Sequence, residues 1–399
     1  MSNLPLTAAT SLPRSHPYYP ALTGMRAVAA YLVFFLHFRP LAQHVGWADA
    51  VISQFYVGVA MFFVLSGFVI ATRYQNSVQL NRAWWSQYLW RRFARIYPAY
   101  FILNGTALYH VYWPLQAATA TNSLSLIFLS QSLLRGFSRT LKFVGIPQGW
   151  SLTPEECFYL SAPLLLLAWQ RWGRRSAVGF VIIAVGTGLG LTYLCKDRPA
   201  LHGLFGSYHH LFNFTFFGRV LEFVIGVGLA RWWHRRPAQA FTQRWPWLTI
   251  GGVLASSAII IALAVVNPST SLDDIYDGPL PARAIFLNNV AFPLAIALLY
   301  AGLLAEASGL RTLLSTKLMQ ELGRSSYFFY LLHVGLLSIW WQNTFGWGRH
   351  VIWQFLVTML LAELGFRLLE EPLRLWLLGH TLSRQRTSHA KGEMAQDAI

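Results

Sequence analysis

The chain has 399 residues, 55% of them hydrophobic and 16% aromatic, with only 12% charged and a mean hydropathy of +0.42. Soluble domains carry about 25% charged residues, so this composition excludes an ordinary water-soluble enzyme and makes lipid the main solvent. A net charge of +16 would suggest nucleic acid in a soluble chain, but in a membrane chain it is the Arg and Lys surplus of cytoplasmic loops, and no nucleic-acid partner is expected.

Apolar runs recur along the whole length, which predicts an all-α polytopic membrane protein, because a spanning segment must satisfy its own backbone hydrogen bonds. Runs long enough to cross fall at 21–38, 55–73, 96–113, 152–170, 177–195, 212–230, 248–266, 286–304, 327–343 and 351–369. About ten crossings put both termini on one side. The connecting segments 74–95, 171–176, 231–247 and 305–326 are rich in arginine, whereas 39–54, 196–211, 267–285 and 344–350 carry only Arg39, Lys196, Arg198, Arg283 and Arg349. That asymmetry places both termini in the cytoplasm of a chain resident in the inner or plasma membrane. Residues 1–20 read as an N-terminal cytoplasmic segment with no removed signal peptide, 21–378 as the membrane domain, and 379–399 as a polar, basic tail.

The first span, "GMRAVAAYLVFFLHF", holds Arg26 and His37 eleven positions apart. Eleven helical residues turn three times plus ~20° and rise ~16.5 Å, so both side chains project from one face. Ionisable groups in a span are costly and normally face a protein interior or a wet cavity. A snorkelling arginine with a packing histidine is the structural alternative. The second span places Ser66 and Gly67 among aromatics, a pattern read as close helix packing. "RRFARIYP" then brings Arg92 and Arg95 to i,i+3 on one face, suited to phosphate, although membrane anchoring also explains single arginines there.

Residues 114–151 contain "LSLIFLSQSLL" followed by Arg135, Arg139 and Lys142. That run is too short for a comfortable crossing and predicts a re-entrant or interfacial segment near 123–147. "GWSLTPEECFYLSAP" places Glu155 and Glu156 in the first turn of a span, where acidic residues favour the helix N-terminus. Glu155 is also a candidate to orient His37 or to bind a sugar hydroxyl. Farther on, Asp273, Asp274 and Asp277 lie in a polar Pro/Gly-bearing loop without metal-ligand spacing, and no metal is expected. Arg219 with Glu222, and Glu363 with Arg367, are spaced for intrahelical pairing, and they are read with His333 as structural. Cys157 and Cys195 form no framework of disulfides or metal ligands.

Taken together, these motifs resemble acyltransferase family 3, a family of multi-pass membrane proteins. The resemblance rests on Arg26 and His37 in the first span; Phe62, Phe63, Ser66, Gly67 and Phe68 in the second; and Arg92, Arg95, Ile96 and Pro98. Trp150, Ser151, Leu152, Glu155, Phe158 and Tyr159 continue it, and "GRSSYFFYLLH" with "EEP" at 370–372 agrees more loosely. Cys157 stands where the family commonly has glutamine, and the chain is expected to lack the fused extracytoplasmic hydrolase-like domain of some relatives.

The resemblance implies transfer of an acyl group, most often acetyl, from acyl-coenzyme A to a hydroxyl. The acceptor is an extracytoplasmic carbohydrate or glycolipid, or alternatively a secreted small molecule such as a macrolide. His37 and Glu155 become the expected catalytic residues. Arg26, Arg92 and Arg95 become the expected acyl-CoA (acetyl-CoA) contacts, with the lipid bilayer as surroundings and a homo-oligomer left open. A transporter or flippase for a lipid-linked sugar is the rival class. The crowding of motifs into the first 160 or so positions, with no visible internal repeat, favours the enzyme.

Overall fold

The computed structural model describes residues 18–38, 46–112, 123–198, 203–236, 245–267, 281–346 and 350–379. The first 17 residues, Arg39, Arg349, the three loop aspartates Asp273, Asp274 and Asp277, and the tail from 380 lie outside the described residues. Among the described residues the secondary structure is helical, with one isolated bridge between Ser138 and Leu204. The fold is therefore all-α and polytopic, as the composition requires.

In chain order the helices are α1 Pro20–Phe38, α2 Gly46–Ile52, α3 Gly58–Tyr74, α4 Arg82–Ala107 and α5 Ser123–Gln131. Next come α6 Leu152–Trp172, α7 Arg174–Cys195, α8 Tyr208–Phe214, α9 Phe216–His234 and α10 Trp247–Val266. The remainder are α11 Ala282–Ala305, α12 Gly309–Leu314, α13 Lys317–Leu332, α14 Leu336–Phe345 and α15 Val351–Gly379. Among the described residues, seven helical segments are long and apolar enough to cross a membrane: α1, α2 with α3, α7, α8 with α9, α10, α11 and α15.

The other three expected spans are also helical, and their polar content explains why apolarity alone does not mark them. Residues 96–107 are the end of the longer α4, which is capped at its start by Asn81, whose side chain accepts from Trp84 N at 2.8 Å, and which carries Arg91, Arg92 and Arg95; a π-helical turn follows at Leu108–Tyr112. The run 152–170 is α6, which opens on Glu155 and Glu156 and contains Pro163. The run 327–343 is not one helix. It breaks into α13 and α14 at Gly335, whose φ of 143° is open to glycine but strained for other residues. The short α5, nine residues long, rises only about 13.5 Å, less than half of a ~30 Å bilayer core, so it does not cross by itself.

The helices pack closely where small residues permit it. A Cβ on Gly67 of α3 would lie 2.1 Å from the Phe223 carbonyl of α9, and one on Gly226 would lie 2.0 Å from the Val64 carbonyl. Gly323 of α13 likewise abuts the backbone of Thr23 in α1. Gly226→Ala is expected to lower stability by about 1–3 kcal/mol through overpacking of two backbones that have nowhere to go. A drop in melting temperature of the detergent-solubilised protein checks this; an unchanged value would mean that α3 and α9 part freely.

The chain threads so that one end of the bundle gathers the arginine-rich segments. There the Gln170 side chain bonds to the Gln75 carbonyl, Trp90 Nε1 donates to the Leu377 carbonyl at 3.1 Å, and the Arg231 guanidinium lies 5.4 Å from the Trp169 ring centroid. The start of α1 joins this end through Tyr19, whose hydroxyl accepts from Trp233 Nε1 at 3.1 Å. Arg26 and His37 thus lie on the same helix, with Arg26 nearer the basic end.

The two intrahelical pairs expected from spacing are present. Arg219 binds Glu222 through Nε–Oε1 at 2.5 Å and Nη2–Oε2 at 3.1 Å, both residues buried. Arg367 Nε meets Glu363 Oε1 at 2.5 Å.

Candidate active site

Five of the expected residues and their neighbours build two chambers, one behind the other. The first chamber lies between α1, α3, α4, α6 and α13, and Arg26, Ser66, Arg92, Arg95, Glu155, Tyr159, Tyr327 and Tyr330 line it. Three arginines from two helices therefore converge on one space. For Arg26 the Gly323–Thr23 contact is the cause: it brings α13 against α1, so that Arg26 Nε reaches Ser326 Oγ at 3.4 Å.

Each arginine is held differently. Arg95 is ion-paired through Nη1 with Glu370 and stands 5.7 Å over the Tyr327 ring. Arg92 has no carboxylate partner among the described residues; its guanidinium lies 5.9 Å from the Tyr74 centroid and 5.7 Å from that of Tyr159, and its Nε is buried without a hydrogen-bond partner. A guanidinium presents five donors, so both retain N–H groups for an anion in the chamber.

Glu155 accepts from Ser66 Oγ at 2.6 Å and from the Tyr159 hydroxyl one turn along α6. This corrects one expectation: Glu155 does not orient His37. Its bond with Ser66 ties α3 to α6 inside the arginine chamber, while that with Tyr159 stays within α6. Ser66 is likewise more than a packing residue, although its neighbour Gly67 does serve the close helix approach.

His37 lies in the second chamber, lined by Val33, Leu36, Tyr56, Phe143, Gln148, Trp150, Tyr330 and Val334. The expectation that Arg26 and His37 share one undivided lumen is corrected too. They open into adjacent spaces divided by Val59 and Tyr330, which line both. The reason is tertiary: α3 and α13 insert side chains between two groups that the α1 helix places on one face.

The His37 ring is oriented by its own helix. Nδ1 lies 2.8 Å from the Val33 carbonyl. A carbonyl only accepts, so Nδ1 carries the hydrogen and Nε2 the lone pair. His333 meets it edge to face, with ring centroids 5.1 Å apart, and His333 is itself fixed by Nδ1 donating to the Tyr330 carbonyl at 2.8 Å. The dividing wall is hydrogen-bonded: Ser151 Oγ donates to the Gln148 carbonyl at 2.9 Å, which leaves Tyr330 to donate to Ser151 Oγ at 2.9 Å. Gln148 in turn donates to the Val334 carbonyl at 3.1 Å.

Sequence reasoning met Tyr327, Tyr330 and Glu370 only inside the loosely matching late motifs and gave them no role, passed over Gln148, and read His333 as merely structural. Tyr159 had a usable signal, since it follows Glu155 by four residues and so shares its helix face. The others come from segments distant in sequence and carry no such signal. Among the described residues no group of three His, Cys, Asp or Glu side chains gathers as a metal site.

The profile of the family described as "Acyltransferase domain" matches residues 19–365, from the first helix into the last. The chain belongs to this acyltransferase family. Among its relatives are peptidoglycan O-acetyltransferase OatA of Listeria monocytogenes, 26% identical over 376 residues, covering 90% of this chain and 56% of the relative. Nodulation protein 10 of Rhizobium leguminosarum is 26% identical over 354 residues, covering 82% of this chain and 85% of the relative. Acyltransferase MdmB of Streptomyces mycarofaciens is 27% identical over 345 residues, covering 79% and 78%. The chain thus spans little more than half the length of the peptidoglycan relative. No solved structure is similar to this acyltransferase-family chain. The family match contains all five expected site residues and both chambers.

Proposed function

We propose that the chain is a membrane O-acyltransferase that moves an acetyl group from cytoplasmic acetyl-CoA to a hydroxyl of an extracytoplasmic carbohydrate or glycolipid, working in the cell's inner or plasma membrane. The observation that carries this reading is the pair of adjoining chambers: one with three guanidiniums at the arginine-rich end, the other with a histidine whose base nitrogen is defined.

Arg92, Arg95 and Arg26 hold the donor's phosphates, since guanidinium pairs bind phosphate through charge-assisted hydrogen bonds and never lose their charge. The pantetheine arm runs along α1, past Glu155, which keeps Ser66 and Tyr159 in place around it. The thioester carbonyl reaches the Tyr330 wall. His37 Nε2 takes the proton of the acceptor hydroxyl, whose oxygen attacks the thioester carbon; the C–S bond breaks, and the proton passes to the departing thiolate. In a second route His37 accepts the acyl group first and then passes it on. The aromatic walls of the His37 chamber, Tyr56, Phe143 and Trp150, suit the apolar face of a sugar ring, and the acceptor in the name of the Listeria relative is a peptidoglycan.

The purified protein with thioester-labelled acetyl-CoA tests the assignment. Coenzyme A release that rises on adding an acceptor supports it, whereas uptake of a lipid-linked sugar into vesicles with the thioester intact would mean transport. The arginine assignment adds a further expected outcome. Arg92→Ala should weaken acetyl-CoA binding by about 1.5–3 kcal/mol, the worth of a hydrogen bond to a charged group, with acceptor binding preserved. Unchanged donor affinity in isothermal titration would make Arg92 a membrane anchor only.

A further inference from the structure

The arginine chamber does not account for all of the unpaired positive charge at its mouth. Val69 and Ile70 of α3 line the chamber, and one turn farther along the same helix stands Arg73. Its guanidinium lies 5.7 Å from the Tyr74 centroid, and that of Arg92 lies 5.9 Å from the same ring, so two cations flank one aromatic side chain. Both Nε atoms are buried without a hydrogen-bond partner. Arg91 and Arg374 are within electrostatic reach of Arg73.

Two nearby carboxylates are committed elsewhere: Glu371 holds Arg374 through two hydrogen bonds, at 2.7 and 2.6 Å, and Glu370 holds Arg95. Glu156 makes no ion pair among the described residues; it lies within electrostatic reach of Arg92, and its Oε1 is buried without a hydrogen-bond partner. Among the described residues none pairs with Arg73 or Arg91. A membrane-anchoring arginine keeps its guanidinium nitrogens in water or headgroups. Arg73 instead buries an unsatisfied N–H beside like charges, which is costly unless an anion arrives.

We propose that Arg73, with Arg91, forms a second phosphate site at the mouth of the donor chamber, binding the phosphomonoester on the donor's ribose while Arg92 takes the diphosphate. This rests on the acyl-CoA reading. Coenzyme A presents these two anionic groups from a single nucleotide, and the Tyr74 ring is shared by two guanidiniums, each within 6 Å of its centroid, that can receive them.

Binding to the purified full chain, in neutral detergent, is compared for acetyl-CoA and for acetyl-dephospho-CoA, which lacks only the ribose 3′-phosphate. The wild type should bind acetyl-CoA about tenfold or more tightly than the dephospho donor. Arg73→Ala and Arg73→Met should each lose that preference while keeping affinity for the dephospho donor within about twofold. Two variants guard against one that fails to fold. A preference that survives in the variants, or an equal loss for both donors, overturns the subsite. So does an Arg73 effect that appears only when anionic phospholipid is added, since the phosphate would then be a lipid headgroup. A wild type that binds neither donor sinks the acyl-CoA reading and the subsite with it.

Discussion

Under the proposed function, His37→Ala is expected to lower the transfer rate by about 10²–10⁴-fold, the usual contribution of a general base, while leaving acetyl-CoA bound. The split between the two effects follows from the geometry. His37 lines the second chamber, whereas Arg26, Arg92 and Arg95 line the first, beyond Val59 and Tyr330. Truncating the imidazole therefore removes the lone pair at Nε2 without touching the guanidiniums. The ring is held by the Val33 carbonyl of its own helix, a backbone contact whose loss leaves α1 intact. Single-turnover kinetics with titration of donor binding on the same preparation check this. Transfer at the wild-type rate would remove His37 from the mechanism, and loss of donor binding in parallel would show that the two chambers act as one.

The second large effect concerns stability. Arg219→Ala should destabilise the protein by about 3–5 kcal/mol, because it strands a buried carboxylate. Glu222 has no exposed surface, and Arg219 is its bidentate partner, while Arg219 Nη1 also donates to the Asn213 carbonyl at 3.2 Å, across the break between α8 and α9. The guanidinium stands 5.4 Å from the Phe63 ring centroid, linking α9 to α3 as well. Removing both charges together, as Arg219→Met with Glu222→Leu, should recover much of the loss, since an apolar pair of similar volume leaves nothing unpaired. Thermal unfolding in detergent measures both variants. If the double variant were as unstable as the single one, the pair would be needed for its hydrogen bonds to the chain rather than for its charge balance.

Much of this architecture is legible in the linear chain because it depends on local composition. Hydrophobic length is a property of about 20 consecutive residues, so α1, α3, α7, α10 and α11 can be read directly, and the shortness of α5 likewise. Pairing at i,i+3 and i,i+4 is set by helix geometry, which is why Arg219 with Glu222 and Arg367 with Glu363 are foreseeable. The break of 327–343 at Gly335 is harder to see. The flanking residues are apolar enough to suggest continuity, and only the backbone conformation of a single glycine interrupts them.

Helical periodicity alone places Arg26 and His37 on one face of one helix, and the ordered motifs alone bring Arg92, Arg95 and Glu155 forward as candidates. What that face looks into is a different matter, decided by α3, the next long helix, and by α13, which lies far away in the chain. Their Val59 and Tyr330 divide the space, Ser66 and Tyr159 engage Glu155, and His333 becomes the neighbour of His37. A pattern of residues along a helix specifies direction, because the backbone rotates by a constant angle per residue. Which groups meet at the end of that direction depends on how the other helices pack, and those contacts join positions up to some 300 residues apart, as Arg26 and Ser326 do.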